Sequence, residues 1–358
     1  MRRRDFLTIL AAMGGASAMG LSRWARAWAG STEAGAATAH ADDWAWLRGD
    51  WKVWHRRLRL RLQGDTAWEE FGGRSAVWLV MDGLGTIDDN LVELPDGAYR
   101  GLGIRAFDAA AGVWSIWWLD GRNPTRIDPP VKGGFAGDAG AFIGQDTFEG
   151  RPIVMRFRWR DIHGARPWWE QAFSPDGGAS WEVNWRNWFT RTSATPMPLP
   201  ALEDAPHDWD FLVGRWRVRH RRLRQRFAGS AEWDEFDGTL VNWPVLGGHG
   251  NVGDNLMRFP DTTVRGVGIR AFDPATKQWL SWWLDGRRAG EISAPLRGGF
   301  ADGVGTFLGD DSHQGRPVRS RVVWSQITPH SARWEQSGSA DGGVSWESNW
   351  VSEFTREG

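Results

Sequence analysis

The chain is written twice. Asp43-Trp44 falls on Asp208-Trp209, and the shift of 165 residues then holds without a gap until Arg191 falls on Arg356. About half of the paired positions are identical. Each copy is long enough to enclose a core of its own, so the repeat implies two tandem domains, 43–191 and 208–356, rather than a solenoid. Residues 192–207 join them. Pro196-Met197-Pro198-Leu199-Pro200 within that stretch reads as a stiff, extended linker.

Within each copy, short alternating or aromatic-rich runs are cut by turn residues at close spacing, the pattern of an all-β sandwich or barrel. In the first copy the spacing predicts strands near 51–62, 69–80, 88–94, 99–107, 113–120, 140–147, 151–162, 168–174 and 180–190. Pro95-Asp96-Gly97, Glu149-Gly150 and Asp176-Gly177-Gly178 supply the dihedrals that tight hairpins need. An up-and-down antiparallel barrel of 8 to 10 strands per copy is the economical topology, because closure removes the sticky edges. Asp43 and Asp208 are expected to cap a single turn before the first strand.

Composition narrows the function classes. There are 43 Lys and Arg against 44 Asp and Glu. Five Arg and one Asp lie in the first 29 residues, so the remainder carries a net charge of −5. That balance argues against a nucleic-acid partner or an anionic membrane surface. With no Cys, disulfides, thiolate zinc sites and Cys-ligated iron–sulfur clusters are excluded.

The start of the chain reads as an address. Arg2-Arg3-Arg4-Asp5-Phe6-Leu7 leads into a weakly apolar, Gly-containing run that is too short for a confident membrane span, so no integral span is expected in the mature chain. Arg3-Arg4-x-Phe6-Leu7 resembles the twin-arginine export signal, with Thr8 where its fuller form has Lys. Cleavage is expected after Ala29 or after Ala39, and the mature protein is expected in the periplasm or outside the cell.

Gly49-Asp50-Trp51 and Gly214-Arg215-Trp216 open the first strand of each copy, and Phe189-Thr190-Arg191 and Phe354-Thr355-Arg356 close the last. This combination resembles the lipocalin and wider calycin signature. The resemblance implies that the Trp packs at the closed end of a barrel and that the Arg lies across it. The whole unit, with Asp210-Phe211-Leu212-Val213-Gly214-Arg215-Trp216, Trp282-Trp283-Leu284-Asp285-Gly286-Arg287 and Asp341-Gly342-Gly343, also resembles a bacterial family of single lipocalin-like domains without an established activity. Ser174 to Trp181, repeated as Ser339 to Trp346, is similar to the Asp-box hairpin, in which the Asp caps turn amides and the Trp anchors the hairpin.

Strand alternation supplies candidate site residues. If Trp51 points into the closed base, then Val53, His55, Arg57 and Arg59 share the inward face, with His55 roughly 13 Å above the Trp. Trp216, Val218, His220, Arg222 and Arg224 repeat the series. The slipped phase would instead turn Trp54 and Leu58 in. Apolar base, then His, then Arg toward the mouth, is the profile of a ligand cavity. A buried guanidinium needs a carboxylate, water or an anionic ligand. Groups retained in both copies are Glu70 and Glu235, Asp89-Asn90 and Asp254-Asn255, Arg105 and Arg270, Asp120-Gly121-Arg122 and Asp285-Gly286-Arg287, and Glu170 and Glu335. Asp120-Gly121 reads first as a turn. In Trp117-Trp118 and Trp282-Trp283 neighbours face opposite sides, so neither pair makes one stacking platform. Of eight His only His55 and His220 match, which leaves no multi-His metal site, and the residues identify no cofactor.

The resulting expectation is an exported protein that binds a small polar or anionic molecule in Trp-walled cavities. Its ligand contacts would be His55, Arg57, Asn90, Arg105, Asp120 and Arg122, with His220, Arg222, Asn255, Arg270, Asp285 and Arg287 in the second copy. Two other readings stay open. One is a hydratase, isomerase or hydrolase using His55 or His220 as acid–base group, and the other is a carbohydrate-binding module.

Overall fold

The computed structural model describes residues 42–357, so the expected export signal and both expected cleavage positions lie outside the described residues. The chain forms two closed, fully antiparallel barrels of ten strands each. The first runs through β1 (Gly49–Leu58), β2 (Trp68–Val80), β3 (Gly85–Leu94), β4 (Gly97–Asp108), β5 (Val113–Asp120), β6 (Val131–Ala136), β7 (Ala139–Phe148), β8 (Arg151–Arg160), β9 (Trp168–Ser174) and β10 (Glu182–Ser193). The second runs through β11 (Gly214–Leu223), β12 (Trp233–Val245), β13 (Gly250–Arg258), β14 (Thr263–Asp273), β15 (Gln278–Asp285), β16 (Leu296–Ala301), β17 (Val304–His313), β18 (Arg316–Ser325), β19 (Ser331–Ser339) and β20 (Glu347–Arg356). In each, neighbours in sequence pair and the first strand also pairs with the last. No helix among the described residues is long and apolar enough to cross a membrane.

The closed end is built as the Gly-x-Trp signature implies. Trp51 and Trp216 are buried, and the guanidinium of Arg191 lies 4.1 Å above the first and that of Arg356 4.2 Å above the second. Each guanidinium also donates to backbone carbonyls of the entry turn: Arg191 to Trp46 and Arg48, Arg356 to Phe211 and Val213. The glycine is required twice over. Gly49 and Gly214 sit at φ +127° and +124°, and a Cβ at Gly214 would stand 2.6 Å from Arg356 Nη1. The entry turn is a 3₁₀ turn with no side-chain cap, and Asp208 instead accepts the indole N–H of Trp279 at 2.9 Å. The expected capping role is therefore corrected: a buried indole donor needs an acceptor more than an exposed turn does. The Asp-box hairpins do cap themselves. Asp176 accepts from Ser180 N and Ser174 Oγ, and Asp341 repeats the pattern.

The barrels are not held apart. Their closest packing joins the outward faces of β2–β5 and β12–β15 into one core, in which Val80, Ile87, Leu102, Ile104, Trp117 and Leu119 meet Val245, Val252, Val267, Ile269, Trp282 and Leu284. Trp78 and Trp243, equivalent under the repeat, face each other at 5.4 Å. The contacts are reciprocal. Asp89 accepts the Leu246 N–H at 3.0 Å, and its counterpart Asp254 accepts the Met81 N–H at 3.1 Å. Met81 and Leu246 hold the left-handed region at φ 52° and 55°, a strained turn that the opposite barrel pins in place. This is a pseudo-two-fold interface of the kind a symmetric dimer makes. The joining segment packs as well: Leu199 is buried, Arg100 Nη2 donates to Pro200 O at 2.6 Å, and Leu202 N to Gly247 O at 2.8 Å. The stiff, extended linker is thus packed against both barrels.

Candidate functional site

Strand β1 takes the phase that places Trp51, Val53 and His55 inside: His55 is 5% exposed, whereas Trp54 is 42% exposed. The alternation breaks at the end of the strand, where Arg57 and Arg222 are half-buried and Leu58 and Leu223 are buried, and Arg59 and Arg224 beyond it are exposed rather than inward. Arg224 pairs with Asp234 on the surface. The carboxylate that meets Arg57 is Glu69 (Nε to Oε1, 2.7 Å), not Glu70, because β2 pairs Arg57 with Glu69 across the sheet. Glu70 and Glu235 lie on the outer face beside Arg56 and Arg219. Glu170 and Glu335 pair with Arg186 and Arg333.

The candidate residues separate into three levels of the barrel. At the open end, Arg57, Arg61, Asp120 and Arg122 surround Tyr99, the chain's single Tyr. Arg122 pairs with Asp120 and lies 3.7 Å over the Tyr99 ring, and burial pushes the phenol up to about 12. Asp120 also accepts the Arg122 N–H, as a turn residue should. In the second barrel Arg222, Arg226 and Arg287 occupy the same level. Arg287 is held by Asp285 at 2.6 Å, and Asp234 is taken by Arg224 at 2.6 Å. Arg222 lies over Phe259 (5.6 Å) and Trp350 (5.3 Å), and no carboxylate among the described residues forms an ion pair with it. Burial and then the repulsion of Arg226 and Arg287 lower its affinity for a proton.

In the middle level sit the His. His55 stacks on Phe71 at 5.0 Å and accepts the Trp185 indole N–H at 3.2 Å; His220 stacks on Phe236 at 4.8 Å, with Ser352 Oγ 2.8 Å from Nδ1. Burial lowers both to about 4, so both are neutral at neutral pH. Neither has a carboxylate within hydrogen-bond distance among the described residues, and both serve as members of an aromatic layer. An acid–base role at neutral pH finds no support in this arrangement.

The deep level rests on the entry-turn Trp. Arg105 lies 4.5 Å over Trp44 and pairs with Asp88, and Asn90 donates to Asp88 at 2.7 Å. Arg270 lies 4.3 Å over Trp209 and donates to Asn251 Oδ1 at 2.8 Å, while Asn255 only closes back on Gly253 O at 2.8 Å. Asp89 and Asp254 do not enter the lumen; alternation turns them into the inter-barrel interface. Sequence reasoning missed Arg61, Glu69, Asp88 and Arg226. Arg61 and Arg226 match under the repeat, and that was the available signal.

Two surface depressions involve none of these residues. One of about 420 Å³ lies at the closed end of the first barrel beside Trp46, His163 and Arg191. The other, of about 310 Å³, lies between the barrels, where Trp117, Ile127 and Pro130 face their counterparts Trp282, Ile292 and Pro295.

No family model and no curated protein matches the chain. Among solved structures it is similar to a protein of unknown function from the DUF3598 family of Nostoc punctiforme, at 12% identity over 89% of this chain and 99% of that one, with a TM-score of 0.27. Transferrin Binding Protein B from Haemophilus parasuis, at 7% identity, covers 86% of this chain and 76% of its own with a TM-score of 0.19. AofleA from Arthrobotrys oligospora, at 9% identity, covers 81% and 93% with a TM-score of 0.16.

Proposed function

We propose that the protein binds a small anionic molecule through the open end of its barrels, chiefly the second, and that it does so outside the cytoplasm. The twin-arginine start supports the location. One observation carries the binding: Arg222 lies over Phe259 and Trp350 near enough to Arg226 and Arg287 to be repelled by both, while Asp285 and Asp234 are engaged by Arg287 and Arg224. Like charges gathered at a partly desolvated site are costly unless an anion joins them. The flat aromatic faces add stacking area, which favours an anion carried on a planar or aromatic body.

Benzoate and related aromatic carboxylates are expected to bind with an affinity that falls as salt rises. In Arg222→Ala that affinity should drop by about 1 to 3 kcal/mol, the cost of losing a charge-assisted hydrogen bond. Arg221→Ala, on the exposed outer face, should change little. Isothermal titration across this small panel decides it: equal affinity in wild type and Arg222→Ala would remove the mouth as the site.

A further inference from the structure

The two barrels differ at one deep position, and the difference leaves a cation without its counter-charge. In the first barrel, Arg105 donates to Thr86 Oγ1 at 3.2 Å and pairs with Asp88, and that carboxylate lies over Gly103, where a Cβ would meet it at 2.4 Å. The repeat replaces Asp88 by Gly253 and Thr86 by Asn251. Arg270 therefore meets only a neutral amide oxygen, and Asn242 Nδ2 already donates to that same oxygen at 3.0 Å. No carboxylate among the described residues forms an ion pair with Arg270. Its Nε, Asn251 Nδ2 and Asn242 Oδ1 are buried without any hydrogen-bond partner. Over Gly268, the counterpart of Gly103, the nearest atom to a built Cβ is Arg270 Nη2 at 3.5 Å, so the guanidinium tip borders the space where the first barrel keeps its carboxylate. The Nε of Arg105 is buried without a partner too, so what separates the barrels is the carboxylate on Arg105 and the two orphaned amide atoms around Arg270; Arg105 is 6% exposed, whereas Arg270 keeps intermediate exposure although it lies on the entry-turn Trp.

A guanidinium in such surroundings stays charged, and its desolvation has to be offset by a partner. Burial with no opposing charge lowers Arg270 to about 10, which still leaves it cationic at neutral pH. We propose that the second barrel contains an inner carboxylate-binding subsite at Arg270, in which a solute's carboxylate takes the place that Asp88 fills in the first barrel. The planar guanidinium fork matches a carboxylate better than a spherical ion. The subsite deepens the reading given above and rests on it for entry through the open end. The first barrel, with its carboxylate built in, has no such subsite.

The test uses the mature full-length chain in chloride-poor buffer, with acetate and benzoate as probes and heteronuclear NMR and the thermal midpoint as readouts. Acetate should raise the midpoint of the wild type and shift resonances around Gly268 and Trp209. Gly253→Asp supplies the missing carboxylate. Leu240 Cδ1 lies 2.8 Å from where the new Cβ would stand, so Leu240→Ser accompanies it, copying Ser75 of the first barrel. This double variant should lose the acetate response at least tenfold and gain stability in the absence of acetate. Asp88→Gly makes the opposite change and should create a second acetate response in the first barrel, a gain that misfolding cannot imitate. No acetate response in the wild type, or an undiminished one in Gly253→Asp/Leu240→Ser, overturns the subsite. Loss of benzoate binding in Arg222→Ala with the acetate response intact supports both sites. Acetate binding with benzoate indifferent to Arg222 keeps the subsite and removes the mouth.

Discussion

Residues 205–358, produced alone, are expected to form a symmetric dimer. The second barrel closes on its own and encloses its own core of Trp209, Trp216, Trp279, Phe307 and Trp324. Without the first barrel it exposes Trp243, Val245, Leu246, Val252, Val267, Ile269, Trp282 and Leu284 on one face. At about 1.5 to 3 kcal/mol for each large apolar side chain kept from water, that face cannot remain bare without cost. The face is also self-complementary. Its counterpart in the first barrel is related by the repeat, and the bonds Asp89 to Leu246 and Asp254 to Met81 show that one patch reads the other in both directions. In the dimer of fragments, Asp254 of each copy would receive the Leu246 N–H of the other. Analytical ultracentrifugation at micromolar concentration should report a dimer, and Ile269→Asp should turn it into a monomer. A soluble, monomeric wild-type fragment would mean that this face contributes little to the association of the barrels.

The second large effect concerns pH. Burial raises Asp89 and Asp254 to about 6 and lowers His55 and His220 to about 4. The signs oppose. Between the unfolded Asp value and about 6 the folded state holds protons that the unfolded state has released, so the Asp pair makes stability fall as pH rises. From about 4 to the ordinary His value the unfolded state holds protons that the folded state refuses, so the His pair makes stability rise over nearly the same window. Each group contributes on the order of 3 kcal/mol, and the two pairs largely cancel. Wild-type stability should therefore be nearly flat where the two windows overlap, from about pH 4 to about pH 6. Asp89→Asn with Asp254→Asn keeps both amide-accepting oxygens and removes one side of the balance. Stability of this variant should rise toward neutral pH by several kcal/mol, as measured by urea unfolding at fixed pH. A profile as flat as that of the wild type would contradict the burial of the two His in neutral form.

Much of the barrel was legible because its chemistry is local. Gly49 and Gly214 stand where only a glycine clears the Arg191 and Arg356 guanidinium, and alternation along β1 puts His55 inside and Trp54 outside. Where alternation stops at a strand end it misleads, as Arg59 and Arg224 show. Strand β6 leaves little trace in the sequence, because Val-Lys-Gly-Gly-Phe-Ala is short and its two glycines carry no pattern. The inter-barrel core was hidden for another reason. In β4 and β5, Ile104 and Trp117 point outward while Trp114 and Ile116 point inward, and two apolar faces read the same in a sequence whether the outer one meets water or protein. The site was half legible. Identity between the two copies marks Arg105 and Arg270 but not Asp88, because Gly253 does not match it, and that mismatch is what distinguishes the two lumens.

Native mass spectrometry of the protein, taken from its producing cells without a denaturing step, tests the central claim most directly. One small anionic molecule per chain is expected on the wild type and none on Arg222→Ala/Arg270→Ala. A wild-type chain at its bare mass, or the same adduct persisting on the double variant, would contradict it.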